Sequence, residues 1–259
     1  MIYIITLLVL AFLLYKGYQL LSGKRLNLNA DLTLSQKNIL EKNVLYYSKL
    51  SEEEKVRFSK RVAVFLSSIK IKAVSCVVSD VDELLIGASA IIPVFGFDNW
   101  TYVNLTKVYV FPDAFNSKFE YVGWRNNRTI LGIVGGGRLK NKMVLSQKAL
   151  RLGFENKSDK NNTAIHEFVH LIDMTDGDVD GLPLSIIDKP YTLPWFDLIH
   201  KKIEHIDDGK SDINPYGATS KIEFFAVTSE YFFERPKLLK RKHPELYEKL
   251  SVFFNQDRA

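Results

Sequence analysis

The chain has 259 residues, 46% of them hydrophobic and 12% aromatic, which is enough for a real core and excludes a disordered polymer. Its formal charge of +5 comes from basic residues scattered along the chain without interleaved aromatics, so a nucleic-acid platform is excluded and no nucleic-acid partner is expected. One cysteine, Cys76, excludes a disulfide framework and fits a reducing compartment; in the apolar run "IKAVSCVV" it reads as core.

Residues 1–15 carry no charged side chain. Extended to Leu20 or Leu21, with Lys16 reaching toward the interface, the run is long enough to span a membrane. No basic residue precedes it, whereas Lys16, Lys24 and Arg25 follow, which is the charge pattern of an uncleaved anchor rather than a signal peptide. The expectation is a single-pass transmembrane anchor over 1–21, a polar linker over 22–34, and a body over 35–259 on the cytoplasmic side.

The body opens with helical spacing over 35–50. Ser51 with Glu54 forms a capping box that starts "EEEKVRFSKRVAVFLSSI". Ser79, with Asp80, Asp82 and Glu83 behind it, starts a third helix that runs toward Pro93 and Gly96. The middle reads as strands over 107–112, 128–134 and 142–150. "GGGR" at 135–138 is a turn, since no Gly-Lys-Ser/Thr follows to make a phosphate loop. Helices are expected over about 160–175, 193–206, 220–235 and 244–256, and "RPKLLKRKH" (235–243) is a solvated helix face. The pattern is one α+β domain.

Within the helix at 160–175 stands His166-Glu167-x-x-His170. Residues i and i+4 share a helix face, so both imidazoles can reach one metal. Glu167 is offset and can reach a metal-activated water as general base, because zinc lowers the pKa of that water to ~7. The remainder of the helix is largely apolar, and polar side chains there are costly unless something binds them.

Three residues compete to close the site. Asp176 stands six after His170, but Asp173 occupies the place where a glycine would break the helix. Asp176, Asp178, Asp180 and Gly181 open like a calcium loop, yet Ile187 stands where its bidentate glutamate belongs, so a hydrated turn is the better reading. Glu223 and Glu230 lie seven apart on one helix face among aromatics, one suited to ligate and the other to support a histidine. Periodicity alone leaves that choice open. Tyr216, seven residues before Glu223, could donate to an oxyanion, although spacing alone favours an ordinary turn tyrosine after Pro215.

The segments "HEFVHLIDMTDGDVDGLP", "NPYGATSKIEFFAVTSEYFF", "VYVFPDAF" and "DELLIGASAIIPVFGFDN" resemble the Mlc titration factor A family of zinc peptidases, over roughly residues 40–255. The Tyr-x6-Glu-Phe-Phe-Ala stretch is also similar to the catalytic domain of anthrax lethal factor. The resemblance implies a zincin-like metallopeptidase domain with a small mixed sheet. It implies Zn2+ on His166, His170 and Glu223, with Glu167 as base and Tyr216 assisting the transition state. It further implies aminopeptidase-like hydrolysis of a peptide or protein substrate. A metal-stabilised module that sequesters a transcriptional regulator is the alternative. The strand "KMVLS" is expected to align an extended substrate by edge pairing, and Asp173 to support the site from behind.

Overall fold

The computed structural model describes residues 27–116, 130–156, 159–187 and 189–259. The expected anchor, 1–21, lies outside them, and among the described residues no helix is long and apolar enough to cross a membrane.

Thr33 and Gln36 form a capping box that starts α1 (Leu34–Asn43), so the expected linker ends one residue early. The run read as one helix over 35–50 is interrupted. Val44 adopts an extended conformation and α2 (Leu45–Ser48) restarts behind it. The break lets Val44, Tyr46 and Tyr47 all turn inward, which one continuous helix face could not do. α3 (Glu52–Ser68) and α4 (Asp80–Ile91) begin at the capping boxes of Ser51–Glu54 and Ser79–Asp82. α4 stops at Ile91, ahead of Pro93, and the chain leaves it through turns.

A four-stranded sheet runs in the order β1 (Lys70–Ala73), β2 (Lys107–Phe111), β4 (Lys142–Ser146), β3 (Gly132–Val134). β1, β2 and β4 are parallel, and β3 is antiparallel to β4, so the sheet is small and mixed as expected. Two sequence expectations are corrected here. The strand expected over 142–150 ends at Ser146, whose hydroxyl accepts from the Ala149 N–H and caps α5 (Gln147–Glu155). "KMVLS" is an interior strand, hydrogen-bonded on both sides, and has no free edge to offer a substrate; among the described residues the edge strands are β1 and β3.

Among the described residues the body continues through α6 (Thr163–Asp173), α7 (Thr192–Asp207), a 3-10 turn at Pro215–Ala218, α8 (Lys221–Glu234), α9 (Pro236–Lys242) and α10 (Pro244–Phe254). The basic segment at 235–243 forms α9, which buries Leu239 and leaves Lys240 and Arg241 exposed. α6 and α8 lie together in the core, buried among Phe168, Trp195, Phe224, Phe225 and Phe253. The acidic segment after α6 is a turn. Asp173 accepts from the Gly181 N–H, Asp176 accepts from the Leu184 N–H, and the Trp195 indole donates to the Gly181 carbonyl. Gly181 has a positive φ of 77°, and a Cβ there would stand 2.4 Å from the Lys221 carbonyl oxygen, so only glycine lets this turn close on α8.

Candidate metal centre

α6 starts at Asn162, whose side-chain oxygen accepts from the Ile165 N–H while its own backbone N–H donates to Glu230 on α8. One helical turn on, His166 and His170 point at one another, with their Nε2 atoms 3.0 Å apart. The Glu223 Oε2 atom lies 2.9 Å from the first Nε2 and 3.5 Å from the second. Glu223 reaches this place because Ser220 caps α8 by accepting the Glu223 N–H, which sets the first turn of the helix over the α6 histidines. Among the described residues, these three form the group of His, Cys, Asp and Glu side chains able to share a metal ion.

The hydrogen-bond chemistry of the group suits a cation. The other nitrogen of His166, Nδ1, lies 2.7 Å from the Glu230 carboxylate, which can only accept, so Nδ1 carries the proton. When the ring is neutral, Nε2 offers a lone pair toward a second carboxylate and a second imidazole. Three ligand atoms converge on one point, and a positive charge there, a metal ion or a proton, reconciles them. The ligand atoms of a tetrahedral zinc, bonded at about 2.0–2.1 Å, stand about 3.3 Å from one another. The observed separations bracket that value. The donor set of two imidazoles and a carboxylate fits a transition metal.

Without a metal, the electrostatics put the positive charge on His166 itself. Burial disfavours charge on His166, but the bonded Glu223 and Glu230 carboxylates outweigh it and raise its pKa to about 10. Burial likewise pushes Glu223 up, yet the two histidines hold it well below the usual carboxylate range. Glu167 is buried, and that burial raises its pKa above an ordinary glutamate's despite the opposing pull of the histidines. Such a carboxylate is a better proton acceptor than an exposed one.

β3 packs on the Glu167 face of α6. A Cβ on Gly132 would stand 2.7 Å from Glu167 Cγ and 2.8 Å from its Oε1. Glycine is therefore what lets the edge strand lie against this carboxylate. Tyr216 sits in the 3-10 turn with its ring centroid 6.0 Å from that of His166, and it is half exposed. Partial burial, the Glu223 charge and a hydrogen bond to Glu223 push its phenol up to about 12. It is therefore protonated at neutral pH and able to donate.

The structure thus brings His166, Glu167, His170, Glu223 and Tyr216 together, with Glu230 behind His166. Asp173 is buried at the C-terminal end of α6, one oxygen on the Gly181 N–H and the other without a partner among the described residues. Burial raises it to about 6. Asp176, Asp178 and Asp180 do not enter the group. Sequence reading missed Gly132, which meets a partner far away in the chain; a glycine inside an otherwise β-branched run was the one available signal for it.

A small mixed sheet packed on a buried helix that presents two imidazoles to a glutamate from a neighbouring helix defines a metallopeptidase domain. The chain matches the family Glucose-regulated metallo-peptidase M90 over residues 20–255 and belongs to it. It is 27% identical over 229 residues to an uncharacterized protein of Synechocystis sp., covering 83% of this chain and 82% of that one. It is 25% identical over 223 residues to Mlc titration factor A of Pectobacterium atrosepticum, covering 80% and 81%. Over a shorter stretch of 104 residues it is 38% identical to Mlc titration factor A of Cronobacter sakazakii, covering 37% and 38%. The expected membership of the Mlc titration factor A family stands.

Proposed function

We propose that the chain is a zinc-dependent peptidase in which His166, His170 and Glu223 hold Zn2+. The observation that carries this reading is the convergence of their three ligand atoms, two of them within 3.0 Å of His166 Nε2. Zinc bound there supplies Lewis acidity, which acidifies water and polarises a scissile carbonyl. Glu167, buried and raised, takes the proton of the attacking water and returns it to the leaving amine. Tyr216 donates its phenol proton in a hydrogen bond to the developing oxyanion. Glu230 keeps His166 in the tautomer that turns a lone pair toward the site. The free edge of β3 aligns an extended peptide along the Glu167 face, the role first expected of "KMVLS". Aminopeptidase-like cleavage of small substrates belongs to the same reading. We further propose that residues 1–21 anchor the protein in a membrane with the catalytic body on the cytoplasmic side.

Measuring zinc content and peptide hydrolysis in wild type and variants tests this. Glu167→Gln should keep one equivalent of zinc and lose about 100-fold or more in kcat, the usual weight of a general base. Glu223→Ala should lose the metal. Equal turnover in Glu167→Gln, or full zinc in Glu223→Ala, ends the respective assignment. Peptides with free and blocked amino ends separate aminopeptidase from endopeptidase cleavage.

The relatives named Mlc titration factor A support a second reading, a metal-stabilised module that sequesters a transcriptional regulator. Under that reading Glu167→Gln captures the regulator as well as wild type does.

A further inference from the structure

Asp212 lies outside the metal centre, in the loop between α7 and the Tyr216 turn. Its Oδ1 accepts from His243 Nε2 at 2.8 Å. Its Oδ2 accepts from Lys160 Nζ at 2.9 Å, from the Tyr231 hydroxyl at 2.8 Å and from Lys242 Nζ at 3.2 Å. Lys160 also donates to the backbone carbonyl of Asp212. An exposed ion pair contributes little, but four side-chain donors on one half-buried carboxylate define its place closely. These donors come from the foot of α6, from α8, and from the junction of α9 with α10.

The next residues continue the tie. Ile213 is buried at 1% exposure. The Asn214 side-chain amide donates to Asn161 Oδ1 at 3.0 Å, and its oxygen accepts the Tyr216 N–H at 3.0 Å. Asp212 and Asn214 therefore grip Lys160 and Asn161, the two residues immediately ahead of the Asn162 cap of α6. Every link from Asp212 to Tyr216 is fastened, and the far end is that same helix, which carries His166. Beyond Tyr216 its carbonyl accepts from the Thr219 hydroxyl, and Gly217 packs on Val227.

We propose that Asp212 is a positioning residue for Tyr216, locking the turn to the foot of the metal-binding helix through Lys160 and so setting where the phenol stands beside His166. The proposal rests on the catalytic reading of Tyr216 given above. Displacement of a catalytic group by about 1 Å can cost up to about 100-fold in rate, and half of Tyr216 is free to move into solvent once its tether is cut.

The test is a double-mutant cycle on the zinc-loaded full chain, with Asp212→Asn, Tyr216→Phe and the pair. Asp212→Asn should lower kcat about tenfold, with KM within about twofold and zinc content unchanged. In the Tyr216→Phe background it should cost less than about twofold more. Lys160→Met, which leaves the His243 and Tyr231 bonds to Asp212 in place, should move kcat the same way and serves where Asp212→Asn folds poorly. A loss that multiplies in full on Tyr216→Phe, or wild-type kcat in Asp212→Asn, overturns the proposal. A second readout is independent of turnover: 3-fluorotyrosine at position 216 should show its fluorine resonance shifted and narrowed toward that of free fluorotyrosine in Asp212→Asn. An unmoved resonance also overturns the proposal. Wild-type kcat in Tyr216→Phe instead removes the catalytic reading of Tyr216, and the fluorine resonance still reports whether Asp212 holds the turn.

Discussion

His166 is asked to do two things by its two nitrogens. Nδ1 donates a hydrogen bond to Glu230, and in the proposed centre Nε2 offers its lone pair to the metal. The negative charge on Glu230 makes that lone pair more basic, and partners of this kind usually carry 10–100-fold in metal affinity. Glu230→Gln retains an acceptor without the charge. Its zinc dissociation constant should rise about tenfold, and that of Glu230→Ala by up to about 100-fold. Competition with a chromophoric chelator measures both, and unchanged constants would remove Glu230 from the site.

Glu234, one turn further along α8, shows the opposite balance. Burial, with the nearby Glu230 and Asp159 charges, raises its pKa to about 7 against the single helpful bond from the Asn162 amide. A native pKa above the unfolded value near 4.5 means that the folded state holds the proton more tightly. The stability this group contributes is present below about pH 4.5 and is lost as pH rises through about 7. Glu234→Gln has no proton to lose. Urea unfolding from pH 5 to 8 should show wild type losing ground to Glu234→Gln, by no more than about 3 kcal/mol. Parallel profiles for the two proteins would contradict the assignment.

At the scale of elements, β3 and α6 are fitted by the absence of one side chain. Gly132→Ala places a methyl group within 2.8 Å of Glu167 Cγ and Oε1 and of Thr163 Cγ2. The flexible end of Glu167 is the part that can yield, so the proposed general base is displaced. Turnover should fall about tenfold or more while zinc is retained, and overpacking should cost roughly 1–3 kcal/mol of stability. Wild-type turnover in Gly132→Ala would show that the strand, not the base, gives way.

How much of this was legible follows from where each signal lies. The helix starts at Ser51 and Ser79 were readable because a capping box is complete within four residues. The end of β4 was readable in principle: Ser146 is a cap, and the apolar residues change there from an unbroken run at 143–145 to the pair Ala149 and Leu150. β1, with the sequence Lys-Ile-Lys-Ala and largely exposed, has no apolar alternation deep enough to announce itself. Glu223 and Glu230 could not be told apart by periodicity, since both lie on one face. What separates them is which nitrogen of His166 each one meets. Asp212 and Gly132 act on residues 52 and 35 positions away (Lys160 and Glu167), a relation that only the folded chain reveals.

For the whole molecule, two properties of the chain point the same way. Residues 1–15 carry no charge, and basic residues follow that run directly. The family match begins at residue 20, so the apolar run stands almost wholly ahead of the peptidase domain. The described body starts at Asn27 in a turn, and among the described residues the core begins at Leu32 and the metal group at His166. An apolar helix of about 20 residues holds a protein in a bilayer essentially irreversibly, whereas the net charge of +5 offers only a salt-sensitive attraction to anionic lipid. The full chain should therefore sediment with membranes and stay there in high salt. A chain starting at Asn27 should move to the soluble fraction with the same melting temperature, zinc content and turnover on a small peptide. Retention of the shortened chain on membranes in high salt would place the attachment in the body instead, and loss of its fold would show that residues 1–26 are part of the domain rather than its tether.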